Sequence, residues 1–160
     1  MPFSYSIEEI VTLLAAVPQR IAQMIQHSST AELDQSGAPG IWSAANIIAH
    51  LRASDAITCP RIYAILVRDN PTLLAFDDRR WAALTGIASL DPHTSLTTWT
   101  LQRAELVTTL QHCTAADWQR IGTHEITGPQ SLETLVRGLI GHELEHCAQI
   151  EDLLYGATRC

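Results

Sequence analysis

The sequence contains no apolar run approaching the roughly 20 residues that cross a bilayer, so no membrane partner is expected. Its opening stretch, MPFSYSIEEI, has neither the basic segment nor the apolar segment of a secretory leader, and the expected location is the cytoplasm. No basic cluster interrupts a chain of net charge −7, which argues against a nucleic acid as partner. The four cysteines, Cys59, Cys113, Cys147 and Cys160, form no CxxC pair and read as free thiols. No stretch alternates as a β-strand does, and neither an internal repeat nor a low-complexity segment is present.

What is there is helical. The chain has 160 residues, 46% of them apolar, with a mean hydropathy of +0.06. That is the size of one domain with a real core, and residues 1–160 are read as a single unit. Four segments carry the 3.6-residue period. The first runs from about Ser6 to Gln26, opened by a capping box between Ser6 and Glu9 with Tyr5 and Ile10 as a hydrophobic staple. Pro18 inside it predicts a kink. The second begins at Ser43, with Trp42 and Ile47 as its staple, and runs to about Arg68 with a bend at Pro60. The third covers about Ser95 to Gln111. The fourth starts at Ser131 and ends near Tyr155, with Gly156 as the C′ residue. Short helical pieces are expected at DDRRWAAL and AADWQR. The connection 69–94 is long for a structureless loop, and four amphipathic helices with such a crossover predict an all-α four-helix bundle without a sheet.

The fourth segment holds GLIGHELEHCAQIEDLL, residues 138–154. His142 and His146 are four apart and share a face with Leu135, Leu139, Ile150 and Leu153, so both point inward. Two adjacent imidazoles on an apolar face are costly to leave unpaired. A metal accepting both lone pairs resolves that; the alternative is two core histidines bonded to carbonyls or carboxylates. The same residues spell H-E-x-x-H, the helix motif of zinc proteases. The extended form with a downstream glycine and third histidine is absent, because Gln149 and Asp152 occupy those positions, and the protease reading is disfavoured. For a third ligand the candidates are His27, His50, His93, His112 and His124. Only His50 sits well inside a helix, on a face with Ile47, Ser54 and Ile57. The others fall near helix ends or in linkers, where solvated or capping roles are expected.

The stretches WSAANIIAHL, FDDRRWAAL, LQRAELVTTL and DWQRIGTHEITGPQSLETLVRGLIGHELEHCAQI, in this order, resemble the DinB/YfiT-like metal-binding four-helix bundles over nearly the whole chain. His50, His142 and His146 match that family's pattern of one histidine on a tryptophan-led second helix and H-x-x-x-H on the fourth. The resemblance implies an up-down-down-up bundle with a long crossover between the second and third helices, one divalent metal ion (nickel or zinc), and a homodimer. It also implies enzymes that transfer a low-molecular-weight thiol such as bacillithiol or mycothiol to a small-molecule substrate, or use it in an isomerisation; metal-assisted hydrolysis is the second reading, and follows from the chemistry of the site.

Three neutral histidines leave the ion its full charge, and an open fourth position is the mark of catalytic sites. A bound water or thiol would be acidified toward neutrality. Glu143 is a candidate catalytic base or ligand-orienting group, the alternative being an ion pair with an arginine. Asp55 is a candidate to support the ligands from behind, the alternative being a solvated carboxylate. Tyr63 and Arg103 are candidates to contact an anionic substrate, whereas Trp81 and Trp118 read as packing residues. The non-enzymatic alternatives are a metal-dependent binding protein and a dimeric bundle whose metal only fixes two helices.

Overall fold

The computed structural model describes residues 5–36 and 40–156. Ser6 closes its expected capping box with Glu9 and opens α1, Ile7–Ile25, which continues through the buried Pro18. A further capping box at Ser29 opens the single turn α2, Thr30–Leu33. Ser43, boxed with Asn46, starts α3, Ala44–Val67, which runs unbroken through Pro60. The DDRRWAAL piece forms α4, Asp78–Thr85, capped by Asp77 and closed by Gly86 at φ 62°, and a 3-10 turn follows at Ile87–Ser89. Helix α5, Pro92–Gln111, starts three residues before the expected Ser95. The reason is local: Asp91 caps the Thr94 amide and Pro92 occupies the first turn, where its missing N–H costs nothing. The AADWQR piece forms α6, Ala115–Trp118, and Ser131 caps α7, Leu132–Tyr155. Gly156 ends α7 with an ordinary helical φ of −63°, so it is not the left-handed C′ residue expected.

The four long helices form the bundle. Helix α1 packs against α5 and α7, and so does α3. The first and second long helices are therefore diagonal, and α3 lies beside α7. This is the up-down-down-up arrangement, in which α3 and α5 run the same way and residues 68–91 carry the chain back along the bundle. The core is aliphatic, built on Leu14, Ile21, Ile48, Ile62, Leu106, Val136 and Ile150, with Trp99 fully buried among them.

The expectation of no sheet fails. Strands β1 (Thr72–Leu73), β2 (Ile121–His124) and β3 (Gly128–Ser131) form a small sheet, β1 parallel to β2 and β2 antiparallel to β3. Strands of two and four residues are too short for alternation to be legible. Pro129, which has no N–H to donate, is tolerated because β3 is an edge strand. Gly128, the first residue of β3, follows the three-residue loop 125–127 at φ 79°, the left-handed conformation favoured where such a loop re-enters a strand. The sheet sets where α7 begins. Arg120, just before β2, donates to the carbonyls of Ile65 at 2.8 Å and Arg68 at 2.7 Å, tying this region to the end of α3.

Gly122 of β2 has no room for a side chain: an added Cβ would stand 2.9 Å from Leu73 Cδ2 and 3.0 Å from Ile65 Cγ1. Gly122→Ala is expected to destabilise the fold by about 1–3 kcal/mol, the cost of overpacking a filled core. Chemical denaturation checks this, and an unchanged midpoint would show that β2 can retreat from Ile65.

Candidate metal centre

The two neighbouring helices α3 and α7 bring three imidazoles together. His50 Nε2 stands 2.9 Å from His142 Nε2, and His146 Nε2 stands 3.1 Å from the same atom. The three donor atoms all lie within 4.8 Å of one another. The rings are set edge to face, with centroids 4.5–5.0 Å apart. Residues i and i+4 of α7 share a face, and that face is half-buried against α3, where Leu139 and Ile150 of the same stripe enter the core.

The donor set fits one divalent ion. Two nitrogens each about 2.0–2.1 Å from a shared ion, at ligand angles of ~90–110°, stand about 2.9–3.4 Å apart, and both measured separations fall in that range. One tautomer is also set for the task. His146 Nδ1 donates to Gln149 Oε1 at 2.8 Å, which leaves the Nε2 lone pair facing the other two rings. Trp42 lies against the cluster, its ring 4.9 Å from His50 and stacked 6.0 Å from His146, with planes 17° apart. From sequence Trp42 was expected only to staple the start of α3; its place next to a histidine-bearing helix was the available signal.

Among the described residues no fourth carboxylate or thiol joins the group. Cys147, beside His146 in sequence, turns into the core, and burial raises its thiol. Cys59 is likewise buried, and burial pushes its thiol up to about 12. Cys113 is also a free thiol, and Cys160 lies outside the described residues. The histidines instead meet open space. A cavity of about 790 Å³ reaches His50, one of about 380 Å³ reaches His142, and one of about 570 Å³ reaches His146.

The remaining candidates lie elsewhere. Glu143 does not face these cavities; its carboxyl is buried and paired with Arg103. Arg103 is only 2% exposed and donates to Asp55 Oδ1 at 2.7 Å as well, so the expected substrate contact by Arg103 is replaced by an internal clasp. Asp55 is not solvated: it also accepts from Trp99 Nε1 at 2.9 Å. Burial pushes Asp55 up to about 6 and Glu143 up to about 8, against the pull of Arg103. Arg103 Nε and Nη1 and Glu143 Oε2 are buried without a hydrogen-bond partner. The clasp joins α3, α5 and α7, and so ties together both helices that carry the histidines.

Tyr63 is not brought to the histidines. It stands thirteen residues along α3 from His50, ~20 Å at the helical rise, and packs half-buried against the core. The glutamate that a zinc protease would use as base is this same buried Glu143, which removes the chemistry of that reading. Of the other histidines, His93 bonds the Ser28 carbonyl, His112 the Thr108 carbonyl, and His124 accepts from the amides of Ile126 and Thr127. No described helix is long and apolar enough to cross a membrane.

Comparison with known proteins places this geometry in context. The sequence pattern described as the DinB superfamily matches residues 13–150. A protein of Oceanobacillus iheyensis, named as a candidate metal-dependent hydrolase, is 24% identical over 94% of this chain and 88% of its own length. YfiT of Bacillus subtilis, named in the same way, is 23% identical over 89% of this chain and 81% of its own. The solved structure of YfiT, described as a probable metal-dependent hydrolase with an unusual four-helix bundle topology, superposes with a TM-score of 0.85 at 22% identity, covering 98% of this chain and 91% of that one. The crystal structure of a mycothiol-dependent maleylpyruvate isomerase superposes with a TM-score of 0.72 at 14% identity, covering 91% of this chain and 61% of that one.

Proposed function

We propose, from the premise that this chain belongs to the DinB superfamily, that it is a metal-dependent enzyme acting on a small molecule. In this reading His50, His142 and His146 hold one divalent ion, zinc or nickel, and the nucleophile is a low-molecular-weight thiol or water. The observation that carries the reading is the convergence of three imidazole Nε2 atoms that, among the described residues, no further histidine, carboxylate or thiol joins. A divalent ion bound only by neutral imidazoles keeps its charge and draws the proton of a coordinated thiol or water toward release near neutral pH.

The chain's own residues supply the rest. Gln149 holds the His146 tautomer. Trp42 lies against two of the rings and helps to fix their orientation. The cavities beside His50 and His142 give the two reactants separate approaches. The names of the relatives support hydrolysis, and the fold shared with a thiol-dependent isomerase supports thiol chemistry; a thiolate is the softer ligand and suits zinc or nickel well. A site that only fixes helices would fill all four positions from side chains, and the open side of this one does not favour that role. The reading includes a homodimer in the cytoplasm, which sedimentation at the mass of a single chain would remove.

The test is a screen of the metal-loaded protein against ester, amide and thiol-acceptor substrates, with His146→Ala alongside. The variant is expected to lose the metal and any hydrolytic or thiol-transfer activity together, an activity drop beyond the roughly 100-fold that loss of a group merely supporting a ligand can cost. Activity that survives loss of the metal would place the chemistry elsewhere.

A further inference from the structure

The crossover between α3 and α5 does more than return the chain along the bundle. Here Trp81 and Ile87 of the crossover face Ala49, Ala53 and Ile57 of α3 across the cavity of about 790 Å³, with His50 and Trp42 in its wall. The alanines stand one turn apart on α3, on the face that also carries His50 and Ile57, and their short side chains leave the space. A volume of this size suits one drug-sized small molecule.

The chemistry of the wall is selective. Two indoles and several alkyl groups make up most of it, and the polar members are few. Asn46 accepts the Ser43 amide in the capping box, and Asp77 accepts the Arg80 amide at the start of α4. Ser54 is the third. All ten basic residues of the chain are arginines, and none of them is among the described lining residues. The two nearest by sequence to the α3 wall are engaged elsewhere: Arg52 reaches Ser95, and Arg61 bonds the Leu74 carbonyl and lies over Phe76. Away from the ion at His50, which the head group takes, an anionic body would lose hydration with no arginine among the described wall residues to replace it, and would meet the Asp77 carboxylate. Indole faces instead reward a flat apolar ring.

We infer that this cavity is the substrate pocket of the metal centre and that it selects an uncharged small molecule with an aromatic or similarly flat apolar body, its metal-binding head group directed at His50. The inference rests on the metal-centre reading above. The pocket takes its specificity from Trp81 and from the smallness of Ala53, and carboxylate-bearing substrates are excluded from this side.

Three hydroxamates titrated into the cobalt(II)-loaded protein test it, read by the visible ligand-field bands. Acetohydroxamate reports the head group alone, benzohydroxamate adds a ring, and 4-carboxybenzohydroxamate adds a negative charge to the ring. Benzohydroxamate is expected to bind at least about tenfold tighter than acetohydroxamate, the return for burying a ring. The carboxylated form is expected to bind about tenfold more weakly than benzohydroxamate, as for an unpaired charge at a partly buried wall. Two variants, Trp81→Ala, which removes a stacking face, and Ala53→Leu, which fills the cavity, should each reduce the benzohydroxamate-to-acetohydroxamate affinity ratio toward one. A ratio near one in the wild type, equal binding of the carboxylated form, or a ratio unmoved in both variants overturns the inference. Cobalt retained by His146→Ala, or a spectrum that acetohydroxamate leaves unchanged, overturns the metal-centre reading and the pocket with it; wild-type cobalt binding with no ring preference overturns the pocket alone.

Discussion

His142→Ala is expected to weaken divalent-metal binding by more than about 100-fold while leaving the helical content unchanged. The size follows from its position. His142 Nε2 is the atom from which both other donors are measured, 2.9 Å from His50 and 3.1 Å from His146. Removing it leaves one imidazole on α3 and one on α7 with no donor between them. Loss of a group that merely supports a ligand typically costs 10–100-fold in affinity, and loss of a ligand exceeds that. The fold survives because the ring is half-exposed beside an open cavity, so its removal opens no void in the packed core. Competition against a chromophoric chelator measures the change, with His124→Ala as a control that should behave as wild type. An affinity within threefold of wild type for His142→Ala would mean that the ion sits elsewhere.

Arg103→Met is expected to destabilise the protein by about 3–5 kcal/mol, the usual cost of stranding buried charge partners. The substitution leaves Asp55 and Glu143, each 1% exposed, facing each other without a cation. Replacing all three, Asp55→Leu with Arg103→Met and Glu143→Leu, is expected to recover most of that loss. A buried ion cluster is often no more stabilising than apolar residues of similar volume, and this one leaves three polar atoms unpaired. The pH dependence has a definite sign. Burial raises the Asp55 carboxyl from 3.8 to about 6 in the folded chain even with Arg103 present. A carboxyl raised on folding binds its proton more tightly folded than unfolded, so stability falls as pH climbs through that window. Without Arg103 the window extends upward, and the deficit of Arg103→Met should be larger at pH 8 than at pH 5. Urea denaturation at the two pH values checks this. A single substitution as stable as wild type would show that Arg103 is dispensable to the fold, and a triple substitution less stable than the single one would show that the cluster is worth more than apolar packing.

The long helices were legible because their signals are local. Ser6, Ser43 and Ser131 each cap the helix they were expected to cap, and each sits directly before a run with a 3.6-residue period. The convergence of His50 with His142 and His146 was legible because i,i+4 spacing fixes a face, and because the family pattern supplied the pairing between helices that spacing alone cannot give. What was missed is non-local or short. The sheet pairs Thr72 with Thr123 and Leu73 with His124, far apart in the chain, through two- and four-residue strands, which leave no period to read. For Glu143 the alternative of an ion pair with an arginine is the one the structure holds, but that the arginine is Arg103 and that Asp55 shares it follows only from the packing of α3, α5 and α7. Tyr63 was misplaced for a simpler reason: thirteen residues of helix separate it from His50, a distance that the sequence already contained. Trp81, read as packing, lines the cavity because the crossover folds back over α3.

The most direct test of the central claim is X-ray absorption at the metal edge of the protein as purified, combined with elemental analysis of metal per chain. The account predicts one zinc or nickel per chain, with a first shell containing three imidazole nitrogens, at about 2.0–2.1 Å for zinc, and at least one further light atom not supplied by the protein. A shell containing sulfur from Cys147, a fourth protein ligand, or metal that remains in the His50→Ala, His142→Ala and His146→Ala variants would contradict it.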